Sequence, residues 1–412
     1  MRPGRKEKRG EGIYNVIVIG AGTAGLVTAA GTAGLGGRVA LVERGRMGGD
    51  CLNYGCVPSK ALIKSARVTA VIKRAGRYGL EPCDEAVDYA RVVRRMKAAR
   101  ARIEPHDSVE RFEALGVDVF LGEARFESPH AVRVGNTVLR GRHVVLATGG
   151  RAAIPPIPGL AEARYFTNET FFENEIFPAR LAVLGAGPIG CELSQTLARL
   201  GSTVTLIDQG GQALHREDED AAALLHSALG ADGVRVRLGT RVTRVEKAEG
   251  GASRLVLAGR GADETIDVDA ILVAAGRLPN VEGLDLEKAG VAYGPRGIRV
   301  DRHLRTTHPD IYAAGDVAGT YQFTHFAEHQ ARIVIRNLLI PGVLGFLRAR
   351  ADRFVLPGAT FTEPEVARVG LNEAEAKEKG IAYELSVYGI DELDRAIADE
   401  TAHGVVKVLT VP

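Results

Sequence analysis

Cys51 and Cys56, set in the stretch GGDCLNYGCVPSK over residues 48–60, are the pair whose type and spacing can carry chemistry. Two thiols that close to a disulfide and reopen form a two-electron couple. A regular α-helix would hold their Cα atoms about 8.7 Å apart, outside the roughly 4.4–6.8 Å that a disulfide spans, so the residues between them must coil tightly. Asn53 and Gly55 are expected to supply that turn, and Pro58 suits the first turn of a helix that continues through Lys60, Leu62 and Ile63. Cys56 then sits at a helix N-terminus, where unpaired N–H groups and the helix dipole favour the thiolate, the nucleophilic form. The alternatives are a structural disulfide or two buried thiols. So short a loop removes little unfolded-chain entropy, which argues for a pair that cycles.

The element before the dithiol offers a way to feed it. The β-branched run IYNVIVI, residues 13–19, reads as a buried parallel strand and leads into GAGTAG, a helix is expected over 26–33, and RVALVE forms a second strand ending in Glu43, 23 residues after Gly20. Together these make a dinucleotide fingerprint: Gly20 for the turn, Gly22 for backbone approach to a pyrophosphate, Gly25 for close packing and Glu43 for a ribose hydroxyl. The pattern recurs in RLAVLGAGPIG, with Gly185, Gly187 and Gly190, a helix over 191–200 and TVTLID ending in Asp208, again 23 residues on. ILVAAGR at 271–277 echoes the earlier HVVLATGG at 143–150, so two nucleotide-binding units lie in one chain. Asp208 suits a ribose 2′-hydroxyl and would repel a 2′-phosphate, which favours NAD over NADP; Arg216 folding back onto a phosphate is the competing arrangement.

Composition bounds the class. The chain has 412 residues, 45% of them hydrophobic and 25% charged, with 53 basic against 51 acidic side chains. That length suits two or three domains, and the near balance of charge gives no reason to expect nucleic acid or an acidic membrane as partner. Residues 1–12 read as a disordered basic tail, and the apolar stretch 333–347 is interrupted by Arg336, Asn337 and Pro341. Four cysteines in so long a chain indicate a cytoplasmic protein with one special pair, leaving Cys83 and Cys191 as structural.

Between these landmarks, 88–103 and 107–115 read as arginine-rich helices broken at Pro105. Strands are expected at 117–121 and 132–134, a proline-rich linker at 154–160, and another strand running into small residues and Asp316 at 311–319. From residue 354 onward short strands and a charged helix over 372–379 alternate in an α+β manner.

Taken in order, GAGTAG with Glu43, GGDCLNYGCVPSK, LATGG, GAGPIGCE, AAGRLPN, YAAGDVAG and FTEPEVARVGL resemble the class I pyridine nucleotide-disulfide oxidoreductases, and NYGC, Glu217–Asp218 and QFTHFAEHQARIVIRN are most similar to the mercuric reductase-like and dihydrolipoamide dehydrogenase-like branches. The resemblance implies an α/β fold with two Rossmann-like domains and an incomplete α+β interface domain. It assigns 13–150 and 280–348 to FAD, 151–279 to NAD(P) and 349–412 to a partial dimerisation domain. It implies that Gly20, Gly22, Gly25, Glu43, Gly49, Ala124, Gly149 and Asp316 hold FAD, and that Gly185, Gly187, Gly190, Asp208 and Gly276 serve the nicotinamide nucleotide. Lys60 is expected beside the flavin, paired with Glu192. Cys56 is expected to be the thiolate next to the flavin and Cys51 the thiol that attacks a small disulfide, lipoamide or a thiophilic metal ion such as mercuric ion. No resident metal is implied, and the family fold is a homodimer.

One element of that family is missing from these residues. Its proton donor is a histidine in an HPT motif late in the interface domain, contributed by the partner subunit, and the sequence stops at Pro412 before such a motif. His325, His329 and His403 are not in its place. The expectation is therefore a truncated chain with an uncovered apolar face and poor solubility. The alternative to a working reductase is a flavin-binding relic without turnover.

Overall fold

The structure, a computed structural model, describes residues 10, 12–83, 86–259, 264–319, 321–353 and 355–411. Most of the basic stretch 1–12 lies outside them. The chain divides into two compact units, one from residues 1–57, 98–151 and 277–354, the other from 58–97, 152–276 and 355–412.

In the first unit, β1 (Ile13–Ile19) lies between β2 (Val39–Glu43) and the strand Thr137–Leu146, parallel to both. The strand Val117–Leu121 extends the sheet beyond β2. Ile311–Ala313 adds in parallel to the end of Thr137–Leu146, whose beginning carries an antiparallel meander with Ala131–Val134 and Ala124–Ser128. β1 is buried on both faces: Tyr14, Ile17 and Ile19 enter one apolar cluster, Val16 and Val18 another. That explains why its sequence is continuously apolar rather than alternating.

Helix α1 (Thr23–Gly34) starts at once after the glycine turn. Gly20 has φ +106°, and a Cβ there would come 2.2 Å from the Ala147 carbonyl oxygen; a Cβ on Gly25 would come 1.8 Å from the Gly20 oxygen. The second unit repeats these numbers, with Gly185 at φ +109° and 2.4 Å from the Ala274 oxygen, and Gly190 at 1.8 Å from the Gly185 oxygen. Its parallel sheet runs Arg235–Arg237, Thr203–Ile207, Arg180–Leu184, Ala270–Val273, Tyr165–Phe166. The helix Pro188–Arg199 follows the turn, and an antiparallel sheet of Arg241–Lys247, Ser253–Ala258 and Glu264–Val268 completes the unit's central part.

Three features differ from the sequence reading. The proline-rich stretch 154–160 is docked rather than a loose linker: Leu160 is buried, and the Val245 N–H donates to the Pro158 carbonyl at 2.8 Å. Residues 58–97 group with the second unit because Leu62, Ala66, Tyr89, Val93 and Met96 share a core with Leu181, Leu193 and Leu197. Residues 355–411 also belong there. Lys407 Nζ lies 3.0 Å from Asp218 and 2.5 Å from Glu373, while Arg368 binds Glu217 at 3.1 Å and Glu375 at 2.7 Å.

The glycine geometry separates two positions on one helix. Gly25→Ala forces a methyl onto the Gly20 carbonyl and is expected to cost about 3 kcal/mol, whereas Gly34→Ala, which meets nothing within 4 Å, should gain about 0.5–1 kcal/mol. Thermal unfolding of the two variants against the parent protein checks the opposite signs.

Candidate functional site

The redox stretch folds as two short helical pieces. α2 (Gly49–Asn53) ends at Tyr54, with φ −136° and ψ 4°, and α3 (Cys56–Lys73) begins at Cys56 with Pro58 in its first turn. The break between them is what lets the two cysteines approach, but it is not made by left-handed conformations at Asn53 and Gly55. Asn53 stays helical and its Nδ2 donates to the Met47 and Gly49 carbonyls at 3.0 and 2.9 Å. Gly55 is needed for space, since a Cβ there would lie 3.0 Å from the Asp50 oxygen and 3.4 Å from the Cys51 Cα. The left-handed residues lie upstream, at Gly48 (φ +87°) and Gly49 (φ +56°).

In this structure the two cysteines are not joined in a disulfide. The hydrogen bond with Cys56, followed by burial, pushes the Cys51 thiol far above its ordinary value, while Thr324 acts in the opposite direction. The Thr324 Oγ1 lies 3.3 Å from Cys56 Sγ. Of the pair Cys56 is the exposed sulfur, at the start of α3, and Cys51 is half-buried.

The nucleotide turn and the redox segment meet at one residue. The buried Ala21 N–H donates to Glu43 Oε2 at 2.6 Å, and its carbonyl accepts from the Gly48 N–H at 3.0 Å. The other Glu43 oxygen accepts from the Gly45 N–H at 2.7 Å, so each carboxylate oxygen keeps a lone pair for a ribose hydroxyl. A Cβ on Gly49 would come 2.5 Å from the Gly22 Cα, so this approach fits only a bare backbone. The first turn of α1 has no side-chain cap, leaving its N–H groups for an anion. These features fit an FAD pyrophosphate and ribose.

Around Asp316, the residue expected at the ribityl chain, Arg277 gathers two carboxylates. Its Nη2 lies 3.2 Å from both Asp316 Oδ2 and Asp50 Oδ2, and only 11% of its side chain is exposed. Burial pushes the Asp316 carboxyl up and Arg277 opposes that shift. Gly149 has φ +67°, and its carbonyl accepts from the Asn280 N–H at 3.0 Å. Ala124 is buried two residues beyond Gly122, whose N–H bonds the Glu43 carbonyl at 2.8 Å.

In the second unit Asp208 repeats the role of Glu43, accepting from the Ala186 N–H at 2.6 Å and the Gly210 N–H at 2.7 Å. No atom comes within 4 Å of a Cβ built on Gly187, which leaves room for a nucleotide's phosphates. Gly276 has φ +123° and its carbonyl accepts from the Ala153 N–H at 2.9 Å. Lys60 Nζ lies 2.8 Å from Glu192 Oε2 and 4.5 Å from the centre of the Phe361 ring. The other Glu192 oxygen accepts from the Phe361 N–H at 2.9 Å, so the glutamate, 7% exposed, is oriented from two sides. Gln195 bonds both the N–H and the carbonyl of Glu363, each at 2.8 Å, fixing the same loop one turn further along the helix.

Two residues of the site escape sequence reasoning. Thr324 touches the dithiol, whereas the neighbouring His325 stacks on Phe323. Arg277 lies within AAGRLPN, and its signal is an asymmetry between the repeats: the second strand-end places arginine directly after its glycine, where the first has Gly149 and Gly150. A histidine and carboxylate cluster away from the dithiol, at His130, His308 and Asp310, is likewise invisible to sequence spacing.

Comparison with known proteins agrees with this geometry. Residues 14–331 match the pyridine nucleotide-disulphide oxidoreductase family, and residues 356–412 match the dimerisation domain of the same family. A mercuric reductase of Staphylococcus aureus is 33% identical over 400 residues, covering 97% of this chain and 72% of that protein. For a mercuric reductase of Bacillus cereus the identity is 34%, and the chain spans 62% of its length. A dihydrolipoyl dehydrogenase of Thermus scotoductus is 35% identical over 96% of this chain and 84% of its own. Among solved structures, the copper(II) complex of the HOCl-induced flavoprotein disulfide reductase RclA of Escherichia coli superposes with a TM-score of 0.84 at 30% identity, covering 97% of this chain and 87% of that one.

Because Cys56 is the largest cause of the raised Cys51 value, Cys56→Ala should move alkylation of Cys51 by iodoacetamide to lower pH, as read by mass spectrometry across a pH series. Arg277→Met removes the cation that opposes Asp316's shift and should weaken FAD retention about tenfold, measured by flavin release on dilution.

Proposed function

The chain belongs to the pyridine nucleotide-disulphide oxidoreductase family, and we propose that it is an NADH-dependent reductase that passes two electrons through Cys51 and Cys56 to a soft, thiol-reactive acceptor. The observation that carries this reading is the contact between the two thiols at the start of α3, on a segment hydrogen-bonded to the dinucleotide turn through Ala21. FAD, when bound, supplies the relay between the two-electron nicotinamide donor and the dithiol.

Gly20, Gly22, Gly25, Glu43, Gly49, Ala124, Gly149 and Asp316 hold FAD in this reading, and Gly185, Gly187, Gly190, Asp208 and Gly276 hold the nicotinamide nucleotide. The raised Cys51 value keeps a proton on Cys51, and the position of Cys56 at a helix N-terminus favours the thiolate there. In turnover the Cys51 sulfur, on losing its proton, attacks one acceptor sulfur and expels the other as a thiolate. The Cys56 thiolate then attacks Cys51 Sγ, closing the intramolecular disulfide and releasing the second acceptor thiolate. Two electrons leave the dithiol and two acceptor thiols form once protons are added. Lys60, held by Glu192 and Phe361, provides a fixed positive charge against which reduction is managed. The similarity to mercuric reductases supports a thiophilic metal ion beside small disulfides and lipoamide as an acceptor class.

Asp208 supports NADH over NADPH, since its carboxylate repels a 2′-phosphate, and the nearby Arg237 is engaged by Glu264 at 3.5 Å. A homodimer formed through residues 356–411 fits the family and the apolar side chains exposed on Glu384–Gly389 and Val405–Thr410, among them Val387, Tyr388 and Val406.

The test compares the parent protein with Cys51→Ser, both loaded with FAD. Both should reduce ferricyanide with NADH, which needs only the flavin, while Cys51→Ser should lose reduction of lipoamide, a dithiobis-nitrobenzoate disulfide and mercuric ion by at least about 1,000-fold. Retention of those activities in Cys51→Ser removes the dithiol from the mechanism. Replacing NADH by NADPH should lower kcat/KM by about tenfold or more, and Asp208→Ala should narrow that gap.

A further inference from the structure

A second group of chemically capable side chains lies in the first unit, on elements separate from the dithiol. His130 occupies the turn between Ala124–Ser128 and Ala131–Val134, while His308 and Asp310 lie on the loop just before the strand Ile311–Ala313. That strand pairs with Thr137–Leu146, which carries His143, and the pairing brings these distant residues to one edge of the sheet.

The arrangement leaves electron-rich atoms facing one another. His130 Nδ1 lies 3.2 Å from the Gly141 carbonyl oxygen, which can only accept, so the ring proton belongs on Nδ1 and the Nε2 lone pair points outward. That Nε2 faces Asp310 Oδ2 at 3.6 Å, too far for a hydrogen bond and with no proton between them in the neutral ring. A neutral imidazole fixed by a backbone carbonyl on its other nitrogen is the usual support of a ligating histidine. The separation also has a metric meaning. Two ligands at about 2.1 Å from a tetrahedral ion stand about 3.4 Å apart, close to the observed spacing.

His308 completes the group. Its ring lies edge-on to His130, centroids 5.7 Å apart, and one ligand atom from each of His130, His308 and Asp310 falls within 4.8 Å of the others. The Asp310 N–H donates to His308 Nδ1 at a long 3.3 Å, and this weak bond is given up when the ring proton moves to Nδ1 and frees Nε2 to bind. On the far side of the carboxylate, the buried His143 Nδ1, which has no hydrogen-bond partner among the described residues, lies 3.7 Å from Asp310 Oδ1.

We infer that His130, His308 and Asp310 form a binding site for a divalent first-row transition-metal ion of the zinc class. Imidazole and carboxylate donors suit Zn²⁺ and its neighbours, whereas the thiols at Cys51 and Cys56 select softer ions. The bound ion would clip the meander to the loop that leads into Ile311–Ala313, the strand that precedes Asp316 in the same unit. Three protein ligands leave the fourth coordination position to water or a further donor.

The experiment uses the full FAD-loaded chain carrying Cys51→Ser and Cys56→Ser, with Cys83 alkylated, so that thiols do not compete. Zinc chloride is titrated by equilibrium dialysis at micromolar free zinc. One zinc ion per chain is expected, with affinity falling about tenfold or more in His130→Ala and in Asp310→Asn and unchanged in His226→Ala, a histidine of the second unit. His130→Ala alters an exposed turn and is decisive should Asp310→Asn fail to fold, folding being judged by circular dichroism and flavin content. No retained zinc, which leaves only a protonated His130 paired with Asp310, overturns the inference. So does zinc held equally well by the parent and by His130→Ala, which marks adventitious binding elsewhere.

Discussion

The peptide unit at Ala21 is the joint on which the first unit depends. Its N–H is given to Glu43 and its carbonyl to the Gly48 N–H, so one buried residue fixes both the carboxylate of the nucleotide fingerprint and the entry to the redox helix. Buried backbone groups must be paired, and here the pairing also transmits position: a displaced turn would move Glu43 and the Gly48–Gly49 bend together. A Cβ on Gly49 would fall 2.5 Å from the Gly22 Cα, so Gly49 has to stay bare where the two segments meet. The distance from the glycine turn to the dithiol segment is thus set by backbone contacts rather than by flexible side chains.

The second unit shows what is general in this device and what is particular to the first. Ala186 gives its N–H to Asp208 and takes the Leu214 N–H on its carbonyl at 2.9 Å, with Leu214 at φ +49° where the first unit has Gly48 at φ +87°. The clamp is duplicated; the segment it holds is not. In the first unit that segment bears Cys51, and in the second it leads to Glu217 and Asp218, which anchor Arg368 and Lys407 of the C-terminal segment. One local geometry therefore presents a redox centre in one copy and an attachment point in the other.

What could be read from the sequence follows the range of the forces involved. The glycine turns, the acid 23 residues on and the start of α3 at Cys56 are local consequences of φ, sterics and helix termini, and the structure has all of them. The pairing of Lys60 with Glu192 was reachable through family resemblance, since the two residues are 132 apart and no spacing rule joins them. Arg277, Thr324 and the histidines around Asp310 were not legible, because their partners come from separate strands and loops. The grouping of 58–97 with the second unit was hidden for the same reason: Leu62 and Met96 look like any apolar helix face until the core they enter is known. The tight turn between the cysteines was anticipated, but Asn53 serves as an anchor and Gly55 as clearance rather than as left-handed residues.

Each unit thus contributes a part that can be stated in atoms: a nucleotide turn bonded to a dithiol helix in the first, and in the second a nucleotide turn together with a lysine held by glutamate and phenylalanine. The account stands on Cys51 and Cys56 being the couple through which electrons leave the protein. The most direct measurement is an anaerobic thiol count on the FAD-loaded chain before and after one equivalent of NADH, with the alkylated residues mapped by mass spectrometry. Two additional thiols per chain, at residues 51 and 56, are predicted. An unchanged count, or a gain that maps to Cys83 or Cys191, would contradict it.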